Sequence, residues 1–178
     1  GQFGEDGVFL EVRTSQSHIH MTQAMCTKVY NQAHLMATNR STYLKENYVE
    51  QHLEVEVAQN KEIEIEKSVA IYTSRDKAIS APTADAVDAI RKCPRFENFL
   101  QSQQRSWERI WKRADIKIRS SQPEDQQIMR LHIFHLMQVA SKNSIEQDVG
   151  IPSRGLHGEA YRGHILWDEL FIFPFLNF

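Results

Sequence analysis

The stretch Leu53-Glu54-Val55-Glu56-Val57-Ala58-Gln59-Asn60-Lys61-Glu62-Ile63-Glu64-Ile65-Glu66 alternates apolar and acidic residues around a polar triplet. Successive side chains of a strand point to opposite faces, so the pattern predicts strands with one side buried and one wet. The interruption at Gln59-Asn60-Lys61 predicts a turn that joins two of them as a hairpin. Toward the N-terminus Val8, Leu10 and Val12 alternate with Phe9, Glu11 and Arg13, and toward the C-terminus Val69, Ala70 and Ile71 prolong the last strand. An antiparallel sheet has to cover its apolar face, and a second sheet laid on it, a sandwich, is the economical architecture. The strands are too few to complete one, so earlier sequence is expected to belong to the same domain.

From about Ser80 the period becomes helical. Phe96, Phe99, Leu100, Trp107, Ile110 and Trp111 fall on one face, with Glu97, Gln101, Gln104, Arg105 and Glu108 largely on others, and such an aromatic stripe predicts core packing. Ser121-Gln122-Pro123-Glu124 has the form of a capping box with proline in the first turn, which predicts a second helix through Ile128, Leu131, His132, His135, Leu136 and Val139. The polar, proline-containing passage from Thr73 to Pro82 is the expected domain boundary.

Composition excludes several classes. With 21 Lys and Arg against 23 Asp and Glu, dispersed along the chain, the charge footprint of a nucleic-acid or anionic-membrane binder is absent. No apolar run reaches the roughly 20 residues needed to span a bilayer. Cys26 and Cys93 are too few and too distant for a disulfide framework or a closed zinc site, and read as idle thiols of a reducing compartment. The first residue is Gly1 and the last eight are Phe171-Ile-Phe-Pro-Phe-Leu-Asn-Phe178; an apolar end of this kind gives the expectation of a piece of a larger protein.

Chemistry concentrates between Gly150 and Phe175. Gly150, Gly155, Gly158 and Gly163 are four of the seven glycines in the chain, and such crowding lets a backbone approach a ligand closely. Around them stand Arg154, Glu159, Tyr161, Arg162, His164, Trp167, Asp168 and Glu169. Aromatic faces beside acidic acceptors suit a sugar ring, whose C–H face is apolar while its hydroxyls need directed partners.

The run Ser153-Arg154-Gly155-Leu156-His157-Gly158-Glu159-Ala160-Tyr161-Arg162-Gly163-His164-Ile165-Leu166-Trp167-Asp168-Glu169-Leu170-Phe171 resembles the start of the catalytic domain in glycoside hydrolase family 65, the maltose, trehalose and kojibiose phosphorylases and related hydrolases. Two positions depart from the family pattern: Leu166 stands where Phe is usual, and Glu169-Leu170 follows Asp168 where a Thr-Glu or similar pair is commoner. Trp107-Glu-Arg-Ile-Trp111-Lys-Arg-Ala-Asp115-Ile-Lys-Ile118 resembles the family's linker, and Gln127-Ile-Met-Arg130-Leu-His-Ile-Phe134 its first barrel helix. The resemblance implies a mixed fold: the C-terminal part of an antiparallel β-sandwich over 1–78, a helical linker over 79–122, and the first helices of an (α/α)6 catalytic barrel over 123–178.

The resemblance also implies that Trp167 and Asp168 hold the non-reducing glucose, with Tyr161, Arg162 and His164 as further substrate-binding candidates. Read from burial and capping alone, Trp167 would be a core residue and Asp168 a helix cap; Arg162 fits a loop ion pair equally well. Glu159 and Glu169 are expected to be structural, because the family's general acid is a later Glu outside this chain; no catalytic residue is expected within it. His18 and His20, and His132 and His135, could each offer two metal ligands, but no third is evident, so no metal or other cofactor is expected.

The function so implied is part of an enzyme cleaving α-glucosidic bonds of a disaccharide or oligosaccharide. Inverting phosphorolysis to β-glucose 1-phosphate, with inorganic phosphate as co-substrate, is the first expectation and inverting hydrolysis the second. A non-catalytic carbohydrate-binding module is the alternative of another class. Its partners would be the α-glucoside, the remainder of its own polypeptide and, as in relatives, a second copy in a homodimer. A cytoplasmic location is expected.

Overall fold

Among the described residues, strand alternation in the first half of the chain produces seven strands, and helical periodicity in the second produces four helices. They are β1 (Gln2–Phe3), β2 (Gly7–Arg13), β3 (His20–Asn31), β4 (His34–Leu35), β5 (Asn39–Lys45), β6 (Tyr48–Glu54) and β7 (Glu64–Thr73), then α1 (Pro82–Arg91), α2 (Phe96–Ala114), α3 (Glu124–Val139) and α4 (Glu169–Asn177). The computed structural model describes residues 1–77, 79, 81–141, 147, 149–152, 154–158, 160–161 and 163–177. They fall into two compact units that meet in sequence between Phe99 and Leu100.

In the first unit β3 is the central strand. It pairs antiparallel with β2 from Gly7↔Cys26 to Arg13↔His20, and with β7 from Met21↔Thr73 to Tyr30↔Glu64. These registers put Phe9, Ala24 and Ala70 in one row, and α1 covers that face with Ala86 and Ile90. Ala24 and Ala86 are both fully buried; their small side chains let the helix lie close to the sheet, and Ile90 fills the space beside Cys26.

A hydrogen-bonded chain holds the start of α1 to the same face. The Thr83 hydroxyl donates to Glu11 Oε2 at 2.5 Å, so the contact at 2.9 Å between Thr22 Oγ1 and Thr83 Oγ1 is made by the buried Thr22 hydroxyl donating. Glu11 Oε1 meets His20 Nδ1 at 3.1 Å. The bond from Thr83, then that from His20, holds the Glu11 carboxyl below its ordinary range.

The opposite face carries Val12, Ile65, Val69 and Ile71, all exposed, together with buried Val8 and Val29. A mostly antiparallel sheet with an apolar row on each face is consistent with a sandwich domain. β5 and β6 form a separate two-stranded sheet, Asn39↔Glu54 through Lys45↔Tyr48.

The expected hairpin across Gln59–Lys61 is not made. A turn does form there, with Lys61 N–H donating to Ala58 O at 3.1 Å and Asn60 in the left-handed region. It connects β6, paired to β5, with β7, paired to β3, and the alternating residues Val55 and Val57 lie outside any strand. Alternation encodes which face a side chain takes; it does not encode which strand lies alongside.

At the edge of β7 the Arg95 guanidinium donates to Glu66 at 2.8 Å and Glu64 at 2.9 Å, and lies 3.6 Å from the centroid of the Tyr30 ring. This ties the first turn of α2 to the sheet, where Phe96 N–H also donates to Glu66. Beyond it a cleft of about 560 Å³ opens between β7 and Cys93, Pro94, Phe96 and Phe99. Phe96 and Phe99 are exposed, so the leading half of the expected aromatic stripe faces this cleft and is not packed in a core.

The two thiols differ. Cys26 is buried and donates to Asp6 Oδ2 at 3.1 Å, and burial, then the neighbouring carboxylate, pushes its thiol up to about 12. Free cysteine titrates near 8.5, so the folded state holds the proton where the unfolded state releases it. The associated stabilisation is complete below pH about 8.5 and is lost as pH climbs toward 12. Alkylation of native protein at pH 8, mapped by peptide mass, is expected to modify half-buried Cys93 and spare Cys26 until the chain unfolds; equal rates at the two thiols would refute this.

In the second unit the trailing half of the stripe is packed. The Trp107 ring lies 4.7 Å from Phe134 of α3 and 6.1 Å from Trp111, and Ile133 is buried. Gln126 then acts as a clip: its side-chain amide donates to Ile116 O at 2.9 Å and accepts from Ile118 N–H at 3.0 Å. Arg130 closes the joint with two bonds to Asp115, at 2.9 and 2.7 Å, and these hold the Asp115 carboxyl below its usual range.

The entry to α3 differs from the expected capping box. Pro123 takes the N-cap position and offers no side-chain bond. Ser120 supplies the polar contacts instead, accepting from Gln122 N–H and donating to Asp125. Among the expected histidine pairs, His18 sits before β3 in the left-handed region while His20 opens the strand. The two therefore do not share a strand face, because His18 lies outside the strand that His20 opens.

Candidate functional site

The glycine segment is built from two local anchors. At the first, Gly158 N–H donates to Gly155 O at 2.9 Å, closing a turn over Leu156 and His157. The His157 ring lies on His135 of α3, with ring centroids 3.8 Å apart. A Cβ on Gly155 would come within 2.9 Å of the His157 ring, so the close approach needs glycine there. At the second anchor, Glu169 in the first turn of α4 accepts from Ile151 N–H at 2.7 Å. A Cβ on Gly150 would lie 2.6 Å from both that carboxylate and Ile165 Cδ1. Glu169 thus fastens the segment's entrance to its exit.

Between the anchors Tyr161 and Gly163 take left-handed conformations, and His164 N–H donates to Tyr161 O at 3.1 Å. Their rings meet edge to face at 6.4 Å. Tyr161 is exposed. Trp167 and Asp168 follow at the entry to α4, where their carbonyls accept from Leu170 and Phe171 N–H. Trp167 is 73% exposed and rests edge-on against Phe171, with centroids 5.7 Å apart.

Asp168 has one carboxylate oxygen, Oδ1, that is buried and without a hydrogen-bond partner among the described residues. A helix cap spends a carboxylate oxygen on a backbone N–H of the first turn, and Oδ1 makes no such bond. A buried acceptor left open costs stability unless something brings it a donor. An exposed indole beside such an acceptor can take a ring with an apolar face and hydroxyl edges. The structure thus groups four of the five candidates in two places, Tyr161 with His164 and Trp167 with Asp168. Arg162 lies outside the described residues, as do Glu159 and Ser153.

Sequence reasoning did not single out His157, Gln126 or the pair Asp115 and Arg130. Asp115 and Arg130 both stand in the quoted motifs, so the signal was present as residues but not as a contact. For metals, Glu64, Glu66 and Glu97 bring carboxylate oxygens within 4.8 Å of one another, with Arg95 already bonded to Glu64 and Glu66. No helix of the described residues is long and apolar enough to cross a membrane.

Comparison with known proteins agrees with this layout. Residues 1–110 match the profile described as glycosyl hydrolase family 65, N-terminal domain, and residues 130–178 match that family's central catalytic domain. An uncharacterized glycosyl hydrolase of Mycobacterium tuberculosis H37Rv is 33% identical over 97% of this chain and 13% of its own length. A kojibiose phosphorylase of Caldanaerobacter subterraneus is 31% identical over 96% of this chain and 23% of its own length. A trehalose 6-phosphate phosphorylase of Lactococcus lactis is 32% identical over 69% of this chain and 16% of its own. The chain therefore spans less than a quarter of the length of these relatives. On the two profile matches and the breadth of these identities, the chain belongs to glycosyl hydrolase family 65.

Proposed function

We propose that the chain is part of an enzyme that cleaves an α-glucosidic bond by phosphorolysis, and that Trp167 and Asp168 hold the terminal glucose. The single observation that carries the sugar site is the buried Oδ1 of Asp168, without a partner among the described residues, in the residue that follows the exposed Trp167. In this reading Trp167 stacks on the C–H face of the ring and Asp168 accepts a sugar hydroxyl; Tyr161, His164 and Arg162 border the same segment. Residues 123–178 would be the first helices of an (α/α)6 barrel, residues 1–78 the end of the sandwich and residues 79–122 the linker between them.

Phosphorolysis is favoured because the kojibiose and trehalose 6-phosphate relatives are phosphorylases by name; inorganic phosphate would then be the co-substrate. Hydrolysis is the second reading, favoured by the Mycobacterium relative named as a glycosyl hydrolase. The free state of Cys26 and Cys93 supports a cytoplasmic setting.

The test is release of glucose 1-phosphate and glucose by the full-length protein from trehalose, maltose, nigerose and kojibiose, with and without phosphate. Glucose 1-phosphate formed only with phosphate is the expected result. Glucose formed regardless of phosphate would replace phosphorolysis with hydrolysis, and silence on all four would remove the sugar-site reading.

A further inference from the structure

A continuous line of rings runs from α2 to the glycine segment: Trp111 to Trp107 at 6.1 Å, Trp107 to Phe134 at 4.7 Å, Phe134 to His135 at 5.8 Å, and His135 to His157 at 3.8 Å. The first four sit on two helices, whose backbones are internally bonded. The last sits in a turn of four residues closed by the bond from Gly158 to Gly155. His135 is thus the point at which a loop is referred to a helical frame.

One ring nitrogen narrows the ways it could act. His135 Nδ1 is buried and has no hydrogen-bond partner among the described residues, so that nitrogen does not secure the turn. What the structure does show against the turn is the ring face, with His157 packed on it and Gly155 lacking a Cβ to intrude. Rings with centroids 3.8 Å apart and planes inclined by 37° hold each other by dispersion and ring contact, which any aromatic of similar size can supply.

We propose that His135 is a positioning residue that seats the turn from Gly155 to Gly158 through its ring face, and thereby orders the segment leading to Trp167 and Asp168 for substrate. The proposal rests on the sugar-site reading above. It predicts a ring requirement, not an imidazole requirement. A loop left unseated weakens substrate binding, since ordering it is then a cost of each binding event.

The experiment compares His135→Phe, His135→Ala and His135→Gln in the full-length protein, with Trp167→Ala in the same series. Steady-state constants are measured on whichever glucoside the unmodified protein cleaves, and hydrogen exchange is followed in the peptide covering 154–158. Phe is expected to keep KM within about twofold and exchange unchanged. Ala and Gln are expected to raise KM about tenfold or more, with a smaller change in kcat, and to speed exchange in that peptide. If Phe fails as Ala does, or if Gln alone preserves KM, the ring-face role is wrong. If Trp167→Ala raises KM while His135→Ala leaves KM and exchange untouched, the positioning role falls and the sugar site stands. If neither variant changes KM, the sugar-site reading itself falls, and this proposal with it.

Discussion

Replacing Asp168 by Asn in the full-length protein is expected to lower kcat/KM for its glucoside by about 10- to 150-fold. Hydrogen bonds to a charged group contribute about 1.5–3 kcal/mol, and each 1.4 kcal/mol is a factor of ten. The same substitution is expected to leave the thermal midpoint unchanged or to raise it, because Asp168 Oδ1 is buried and has no donor among the described residues that the change could remove. That combination, lower activity with equal or higher stability, is the mark of a group kept for a ligand. Its neighbour provides the contrast. Glu169 accepts from Ile151 N–H and occupies the space a Cβ on Gly150 would need, so Glu169→Ala is expected to lower stability along with activity. A fall in midpoint for Asp168→Asn equal to that of Glu169→Ala would make Asp168 structural.

How far the sequence could be read depended on which physical signal each feature leaves in it. Face preference leaves a period, and the strands around Val8 to Val12 and Glu64 to Ile71 were legible for that reason. The helix over Phe96 to Trp111 was legible too, though the exposure of Phe96 and Phe99 was not. Strand pairing leaves no period, so the Gln59–Lys61 turn was located while its partners were mistaken. Caps leave a short motif whose position can slide, as Pro123 at the N-cap in place of Ser121 shows. The glycine segment stood out by composition, yet the contact that seats it joins His135 to His157 across 22 positions. Contacts at such separation, like Asp115 with Arg130, are decided by packing and are visible only in three dimensions.

The largest expected stability loss is at α1. Ile90 is 6% exposed and belongs to the cluster of Ala24, Cys26 and Ala86, with Phe9, Tyr72 and Val87 packed around it. Truncating such a residue removes its transfer free energy and leaves a cavity, at a cost of about 2–5 kcal/mol. The two alanines cannot close that cavity, since neither carries atoms to move into it, so a value in the upper part of the range is expected. The three tryptophans are Trp107, Trp111 and Trp167, all beyond Leu100, so their fluorescence is not a measure of this unit. Hydrogen exchange of the β3 and β7 amides is, because those strands pair over ten consecutive positions from Met21↔Thr73 to Tyr30↔Glu64. Ile90→Ala should accelerate exchange of that ladder strongly. Ile71→Ala in the same 178-residue chain, on the face away from α1 and 65% exposed, should shift stability by no more than about 0.5 kcal/mol. Equal losses at the two positions would mean that α1 does not cover the core face of this sheet, and the packing argued from Ala24 and Ala86 would have to be abandoned.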